Sequence, residues 1–546
     1  METYRLVLYI ALAFVVMLMF QAWEKDYGNQ PDPVVASQPA NGAKQPADVP
    51  QAVPDVEPGT APIDTPVMTS LPSSQKVTVD TDLYKIVIDT AGGDIREAKL
   101  KNYNVAVDDP QDKFTLLTED PANLFITQSG LLGDNVPNHK ESIYTSAATS
   151  YQMQEGKDKL EVVLSWQGKD NVVIDKVYTF TRDSYVIDIN YKINNAGTQA
   201  WEGRMYRQFK RVAVQTGSAF VVASFTGAVL SHPDKPYNKI SFDDIDEEPL
   251  RETITGGWTA MIQHYFFSAW LTKEDERSQV YSKRSDGNNY IIGMIAPTVK
   301  VAAGDQGQTG GSLFVGPKLQ NVIETIAPNL ELTVDYGVLT IISKPLFWLL
   351  DVIHDFVQNW GWSIIILTLL IKLAFYKLSE AGYRSMANMR KLQPRMVKMK
   401  ERFGDDKQGM QRAMMDLYKK EKINPLGGCF PILVQIPVFI ALYWVLLESV
   451  ELRQADFIFW LNDLSSQDPY YVLPILMGIS MWIQQKLNPA PLDPMQAKIM
   501  MMLPIIFTVF FLFFPSGLVL YWVTNNVLSI AQQWVITKRI ESGEKA

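Results

Sequence analysis

A single cysteine, Cys429, stands among 546 residues. That scarcity excludes an intramolecular disulfide framework and any cysteine-only zinc site. Cys429 sits in an apolar run, where a small buried hydrophobe is the expected role rather than a reactive thiol. The four histidines, His139, His232, His264 and His354, are too scattered for metal-ligand spacing. Patterns of the GxGxxG, Walker A and HExxH types are missing, which removes the usual nucleotide-binding and metalloprotease readings. No catalytic group, metal or cofactor is expected. The stretch Asn29 to Ser74 lacks aromatic residues and is rich in Pro, Ala, Val, Asp and Gln. Such a composition cannot bury a core, so residues 25–75 are expected to form a flexible or polyproline-like tether.

What is present is unevenly distributed. Leu6 to Trp23 is apolar and preceded by Arg5, and no small-x-small cleavage pattern follows Phe20. Residues 1–24 therefore read as an uncleaved transmembrane anchor. From residue 76 to about 343 the pattern has period two. In Tyr185-Val186-Ile187-Asp188-Ile189-Asn190-Tyr191-Lys192-Ile193-Asn194 the odd positions are apolar and the even ones mostly polar, as in a half-buried strand. Similar runs occur at Tyr84–Asp89, Leu160–Trp166, Val172–Phe180, Tyr290–Ile295 and Leu313–Val315. Turn signals such as Ala91-Gly92-Gly93-Asp94 separate them. Many strands and few helical stretches imply an antiparallel sandwich of more than one sheet. Its acidic run Asp243-Asp244-Ile245-Asp246-Glu247-Glu248 reads as a solvated loop.

Residues 344–360 change character. Leu346, Leu349, Leu350, Ile353, Phe356 and Val357 recur at helical spacing, with Lys344, Asp351, His354 and Asp355 elsewhere. An amphipathic helix lying in the membrane interface is expected. Five spanning candidates follow: Gly361–Lys377, Leu426–Leu447, Tyr470–Gln485, Ile499–Phe514 and Gly517–Ile536. Several are shorter than the roughly 20 residues of a standard span. With the anchor they make six transmembrane helices, five of them a core.

The connections orient these spans. Lys377 to Lys422 carries thirteen Lys or Arg against six acids, which suits the cytoplasm by the positive-inside rule. The loop after Leu447 holds Glu448, Glu451, Asp456, Asp463 and Asp468 but only Arg453, which suits the outside. Both termini are then cytoplasmic and the sandwich is external. Residues 380–423 read as a basic helical hairpin, with a kink expected at Pro394 and a helix N-cap after Gly404. Residues 424–538 hold the third to sixth spans, and 539–546 form a tail.

One helix carries a charge at membrane depth. Lys372 lies in Ile364-Ile365-Ile366-Leu367-Thr368-Leu369-Leu370-Ile371-Lys372, and such burial costs roughly 2.5–3.5 kcal/mol on insertion scales. Position alone leaves two readings open, a lysine snorkelling to the nearby boundary or a functional polar site. The other polar residues at depth are Thr368, Gln435, Tyr521, Thr524, Asn525 and Asn526. No acid is among them, which weakens a proton or cation pump. No inverted repeat is evident, which counts against a secondary transporter.

Asn424-Pro425-Leu426-Gly427-Gly428-Cys429-Phe430-Pro431, Gln435-Ile436-Pro437 and Phe514-Pro515-Ser516-Gly517-Leu518 resemble the YidC/Oxa/Alb family of membrane protein insertases. Gly256-Gly257-Trp258, His264-Tyr265-Phe266 and Trp270 are similar to that family's periplasmic domain. The resemblance covers nearly the whole chain. It implies a multi-pass α-helical inner-membrane protein with a large periplasmic antiparallel β-supersandwich. It implies an insertase and chaperone that inserts and helps fold newly made membrane proteins through a hydrophilic groove, alone or with the Sec translocon.

At the position of the family's groove arginine stands Lys372, which keeps the charge and loses the planar five-donor fork. The resemblance also places Thr368, Phe439, Met477, Phe510, Tyr521 and Trp522 along the substrate path, and Gln435 and Asn525 join the expected groove as polar residues at membrane depth. It gives Tyr383, Asp405 and Asp493 contacts with the ribosome and the signal-recognition-particle receptor. Expected partners are nascent membrane proteins, ribosome, that receptor, the Sec translocon with its accessory subunits, and the lipid bilayer; DNA is not among them. A competing reading, a sugar-binding or sugar-modifying enzyme on the sandwich, rests on the sandwich's likeness in fold to sugar mutarotases, and fold alone does not carry activity.

Overall fold

The structure, a computed structural model, describes residues 71, 73–213, 224–404, 406–421, 430–488 and 494–541. The expected anchor, most of the tether, Asp405, Asp493, Cys429 and most of the Asn424–Pro431 motif lie outside the described residues.

Two sheets face each other, one of ten strands and one of nine. The larger runs in the order Arg251–Thr255, Arg277–Arg284, Asn289–Val301, Trp201–Val212, Phe125–Leu132, Asp94–Ala106, Tyr84–Asp89, Lys76–Asp80, Ser150–Gln152. Asp109–Leu117 folds back on Asp94–Ala106. The smaller runs Lys235–Ile240, Gly227–His232, Trp258–Ile262, Phe266–Leu271, Gln306–Pro317, Val186–Asn195, Val172–Thr181, Lys159–Gln167, Thr145–Ser146.

The period-two reading holds residue by residue. Ile187, Ile189, Tyr191 and Ile193 are all buried between the sheets, and Ile187 and Ile189 sit opposite Phe180 and Tyr178. Fully burying one such side chain is worth roughly 1.5–3 kcal/mol, so a slip of one residue would reverse several of these gains at once. The Gly92-Gly93 turn needs positive φ at both positions, 77° and 61°. At Gly92 an added Cβ would also stand 2.3 Å from the His139 carbonyl oxygen.

The two sheets are antiparallel, as expected, save for one short pairing near an edge: Lys76–Asp80 runs parallel to Ser150–Gln152. A long connection lets the chain return alongside its own first strand, as parallel pairing requires. The acidic run is not a loop. Phe242–Glu247 forms helix α1, capped by Ser241, whose side chain accepts from Asp244 N while the Asp244 carboxylate accepts from Ser241 N. This reciprocal box stabilises the first turn, and Asp246 is engaged by Tyr290 Oη at 2.6 Å and by Arg284.

Beyond the sandwich come α2 (Gln320–Ile326), α3 (Thr340–Val357), α4 (Trp360–Ala374), α5 (Tyr376–Phe403), α6 (Lys407–Lys420), α7 (Phe430–Glu448), α8 (Val472–Leu487), α9 (Pro494–Phe511) and α10 (Ser516–Glu541). Asn359 caps α4 by accepting from Trp362 N at 3.0 Å. Asp406 caps α6 through Gly409 N at 2.9 Å. The α5–α6 hairpin is tied by Arg395 and Glu421 at 2.8 Å. Helix α5 continues through Pro394; the bend lies earlier, 69° between α4 and α5 at Phe375.

Helix α3 buries Ser343, Phe347, Leu350 and Ile353 against the bundle and leaves Ile341, Trp348 and Phe356 exposed. Small Ser343 allows close approach to α7, its hydroxyl donating to Ala441 O at 3.3 Å. Helix α3 is thus apolar on its outer side as well. Among the described residues the stretch Gly337–Val357 is the one helix long and apolar enough to cross a membrane alone; α4 with α5 makes a second if the bent pair is one span. Val434–Glu448 and Met495–Phe511 are shorter apolar helices.

The sandwich and the helices meet along one end of the bundle. His264 Nε2 lies 3.1 Å from Leu447 O, Gln454 Nε2 donates to Asn104 O at 2.9 Å, and Asn321 Nδ2 donates to Asp351 at 2.8 Å. Asn359 Nδ2 and Ser516 N anchor the starts of α4 and α10 to the α7–α8 loop at this same end.

Candidate substrate groove

Twelve residues separate Trp360 from Lys372, a rise of about 18 Å along α4. Lys372 therefore occupies the last turn of α4, on the side of the bundle away from the sandwich. There the helix carbonyls favour a cation. Its side chain turns inward rather than out: the residue is 6% exposed, and Nζ donates to Ser529 Oγ at 2.8 Å. That hydroxyl donates in turn to Asn525 O at 2.7 Å. Gln532 Nε2 donates to Lys372 O at 3.2 Å, fastening α10 to α4.

These groups border a cavity of about 420 Å³. Tyr521, Asn525 and Ser529, four residues apart in turn, give α10 one polar stripe facing it. Helix α7 contributes Gln435 and Phe439, and α5 contributes Ser379 and Tyr383. Gln435 Nε2 donates to Ser379 Oγ at 3.3 Å. Phe439 packs against Tyr521 and Trp522 with ring centroids 5.3 and 4.4 Å apart, and Trp522 meets Phe511 at 5.2 Å. No carboxylate lines the cavity among the described residues. A second polar seam stiffens its wall: Asn526 Nδ2 donates to Ser480 Oγ at 3.0 Å, the small-residue and hydrogen-bond packing that apolar helices use in lipid.

Six residues singled out from sequence for the groove come together here: Lys372, Gln435, Phe439, Tyr521, Trp522 and Asn525. Three do not line the cavity. Thr368 Oγ1 bonds back to Ile364 O at 2.7 Å and is buried in the helix contact. Met477 is buried behind the seam, with its carbonyl accepting from Ser480. Phe510 is 39% exposed on the outer face of α9, against Phe511 and Phe514. Tyr383, singled out for a ribosome or receptor contact, sits in the cavity wall. Asp405 and Asp493 lie outside the described residues.

Sequence reasoning missed Ser529, Ser379 and Gln484–Gln485. Ser529 was signalled by the fourfold spacing from Tyr521 and Asn525. Gln484 and Gln485 close an apolar run just before Lys486, where polar residues read equally as the membrane boundary.

The joint between sandwich and helices holds several buried ionisable groups. Burial pushes Glu451 up to about 7 and Lys318 down to about 8. His264 is held down at about 4, by burial first and by the Lys318 charge second.

A β-sandwich mounted on apolar helices that wall a polar cavity defines a membrane protein with a large extramembranous domain. A family described as the YidC periplasmic domain matches residues 76–349, and one described as 60Kd inner membrane protein matches residues 352–544. The membrane protein insertase YidC of Nitrosococcus oceani is 50% identical over 99% of this chain and 99% of its own. That of Stutzerimonas stutzeri is 49% identical over the full length of both. A crystal structure of an active YidC insertase with its first transmembrane domain resolved shares 18% identity, covering 84% of this chain and 92% of the other, with a TM-score of 0.39. The chain belongs to the YidC family of inner-membrane proteins.

Proposed function

We propose that this membrane protein insertase receives the polar leading segment of a newly made membrane protein in the cavity around Lys372 and releases the apolar segment sideways into lipid. The observation that carries the reading is the ammonium of Lys372, buried, bonded to the neutral Ser529 hydroxyl, with no carboxylate in the cavity wall among the described residues. A cation without a counter-ion attracts acidic or carbonyl-rich segments and keeps water beside apolar helices. Neutral donors and acceptors from Gln435, Tyr521 and Asn525 exchange hydrogen bonds with a passing backbone. No covalent step is required, so the protein acts as insertase and folding chaperone rather than enzyme, alone or beside the Sec translocon.

In this reading six spans cross the inner membrane with both termini cytoplasmic, and the sandwich is periplasmic. Helix α3 lies in the outer interface with Ile341, Trp348 and Phe356 in lipid. The α5–α6 hairpin, with Tyr383 at its base, meets the ribosome and targeting receptor, and Asp405 and Asp493 take part in the same contact.

The test is reconstitution of Lys372→Leu with a single-spanning substrate bearing an acidic N-terminal tail. Insertion is expected to fall by about tenfold, the loss of a single charge attraction worth roughly 1.4 kcal/mol. A substrate with an uncharged tail should be affected less. Undiminished insertion of the acidic-tailed substrate would remove the charged-groove mechanism.

A further inference from the structure

A second cleft, about 730 Å³, opens where the sandwich meets the α7–α8 loop. Two arginines face it from different elements. Arg211, from the strand Trp201–Val212, is 5% exposed and lies with its guanidinium carbon 4.7 Å from the Phe125 ring centroid. It donates to Ile262 O at 3.2 Å and to Gln263 Oε1 at 2.6 Å. Both acceptors are neutral, and Arg211 Nε is buried with no acceptor among the described residues.

Arg453 comes from the loop five residues past α7. It covers the stacked rings of Phe114 and Phe266, its guanidinium carbon 5.7 and 5.6 Å from their centroids. One of its terminal nitrogens bonds to Asn104 O, and the other, Nη1, is buried without an acceptor among the described residues. The carboxylates on the cleft wall are engaged or outlying. Glu97 pairs with Lys99 at 3.1 Å. Asp120 accepts from Ala122 N and Asn123. Asp112 is exposed.

A buried guanidinium bonded only to neutral oxygens carries a desolvation cost that neutral partners do not offset. Burial alone lowers Arg211 to about 10, with no acid raising it. Two planar guanidinium groups lining one cleft beside an aromatic wall, each hydrogen-bonded to neutral oxygens, match a tetrahedral oxyanion attached to an apolar body. We propose that this cleft is a phosphate-binding site in which Arg211 and Arg453 hold the oxygens of a phosphate group, free or borne by a lipid headgroup.

Isothermal titration calorimetry on the full chain in detergent tests it. The probes are inorganic phosphate, dihexanoyl phosphatidylglycerol and, as uncharged control, dihexanoylglycerol. Wild type is expected to bind at least one phosphate probe and not the control. Arg453→Gln should weaken that binding by about tenfold, the loss of one charge-assisted contact. Arg211→Lys, which keeps the charge and loses the fork, should weaken it several-fold. Tighter binding of phosphatidylglycerol than of phosphate identifies a lipid headgroup; equal binding identifies free phosphate. Failure of both phosphate probes to bind, equal binding of the control, or unchanged affinity in Arg453→Gln overturns the site. If that variant does not melt cooperatively, unchanged affinity in Arg211→Lys does so instead.

Discussion

Lys372 Nζ and Ser529 Oγ, 2.8 Å apart, join the last turn of α4 to the middle of α10. The serine can accept from the ammonium because its own proton is committed to Asn525 O. Ser529→Val removes the acceptor, and Ser529→Thr, which has the same shape as the valine variant, keeps it. A buried charged donor left without a partner is expected to cost about 1–3 kcal/mol. Thermal melts in detergent should therefore show Ser529→Val below wild type and Ser529→Thr close to it. A Ser529→Val melt equal to wild type would mean that another group satisfies the ammonium.

The cavity wall divides the substrate-path candidates into two sets. A photo-crosslinker at Phe439, Trp522 or Lys372 faces the cavity and is expected to capture a ribosome-stalled nascent membrane protein. The same group at Thr368 or Met477, both buried in helix contacts, should give little or no adduct. Equal yields from both sets would show that the substrate travels elsewhere.

Much of this architecture was legible because its periodicity is strong. Ile187, Ile189, Tyr191 and Ile193 announce a strand with one buried face, and the sheet keeps them there. Less was legible where two physical rules compete. The acidic run at Asp243 reads as solvated by charge, but Ser241 with Asp244 three residues on is a capping box and starts a helix. Along α3, spacing reveals an apolar helix but not which side packs, since Phe347 and Phe356 are equally apolar and only contact with α7 separates them.

In the groove, Lys372 drew attention because a charge in an apolar run is costly. Ser529 and Ser379 did not, because a helical hydroxyl can always satisfy itself on its own backbone, as Thr368 does. Whether it reaches across to a partner depends on the neighbouring helix, which sequence spacing within one segment does not specify.

Gly478 sets how closely α8 and α9 approach. A Cβ there would lie 1.9 Å from Thr508 Oγ1 and 3.2 Å from Thr508 Cβ. Gly478→Ala is expected to force the helices apart and to destabilise by about 1–3 kcal/mol. Thr508→Ala removes the nearer atom, so the double variant should recover part of the loss and leave a positive coupling in a double-mutant cycle. Additive effects would mean that α8 and α9 are free to separate without cost.

Glu451 accepts from Gln320 N through Oε1, while Oε2 is buried without a partner among the described residues. Burial raises its folded pKa from 4.5 to about 7. The folded state then binds more protons than the unfolded chain across that interval, so this group's contribution to stability is fully present below pH 4.5 and is lost as pH rises through 7. His264, held at about 4 instead of 6.5, acts in the opposite sense, its contribution lost as pH falls through the same range. The two slopes partly cancel in the wild type, and a pH scan of wild type alone would hide both. Glu451→Gln keeps an acceptor for Gln320 and removes only the carboxylate's titration. Relative to wild type it should be more stable at pH 8, on the order of 1 kcal/mol. That gain should fade to nothing near pH 4.5, leaving the His264 slope visible in the variant. A difference between the two melting curves that does not change with pH would show that Glu451 is solvated and that the joint between sandwich and helices is open to water.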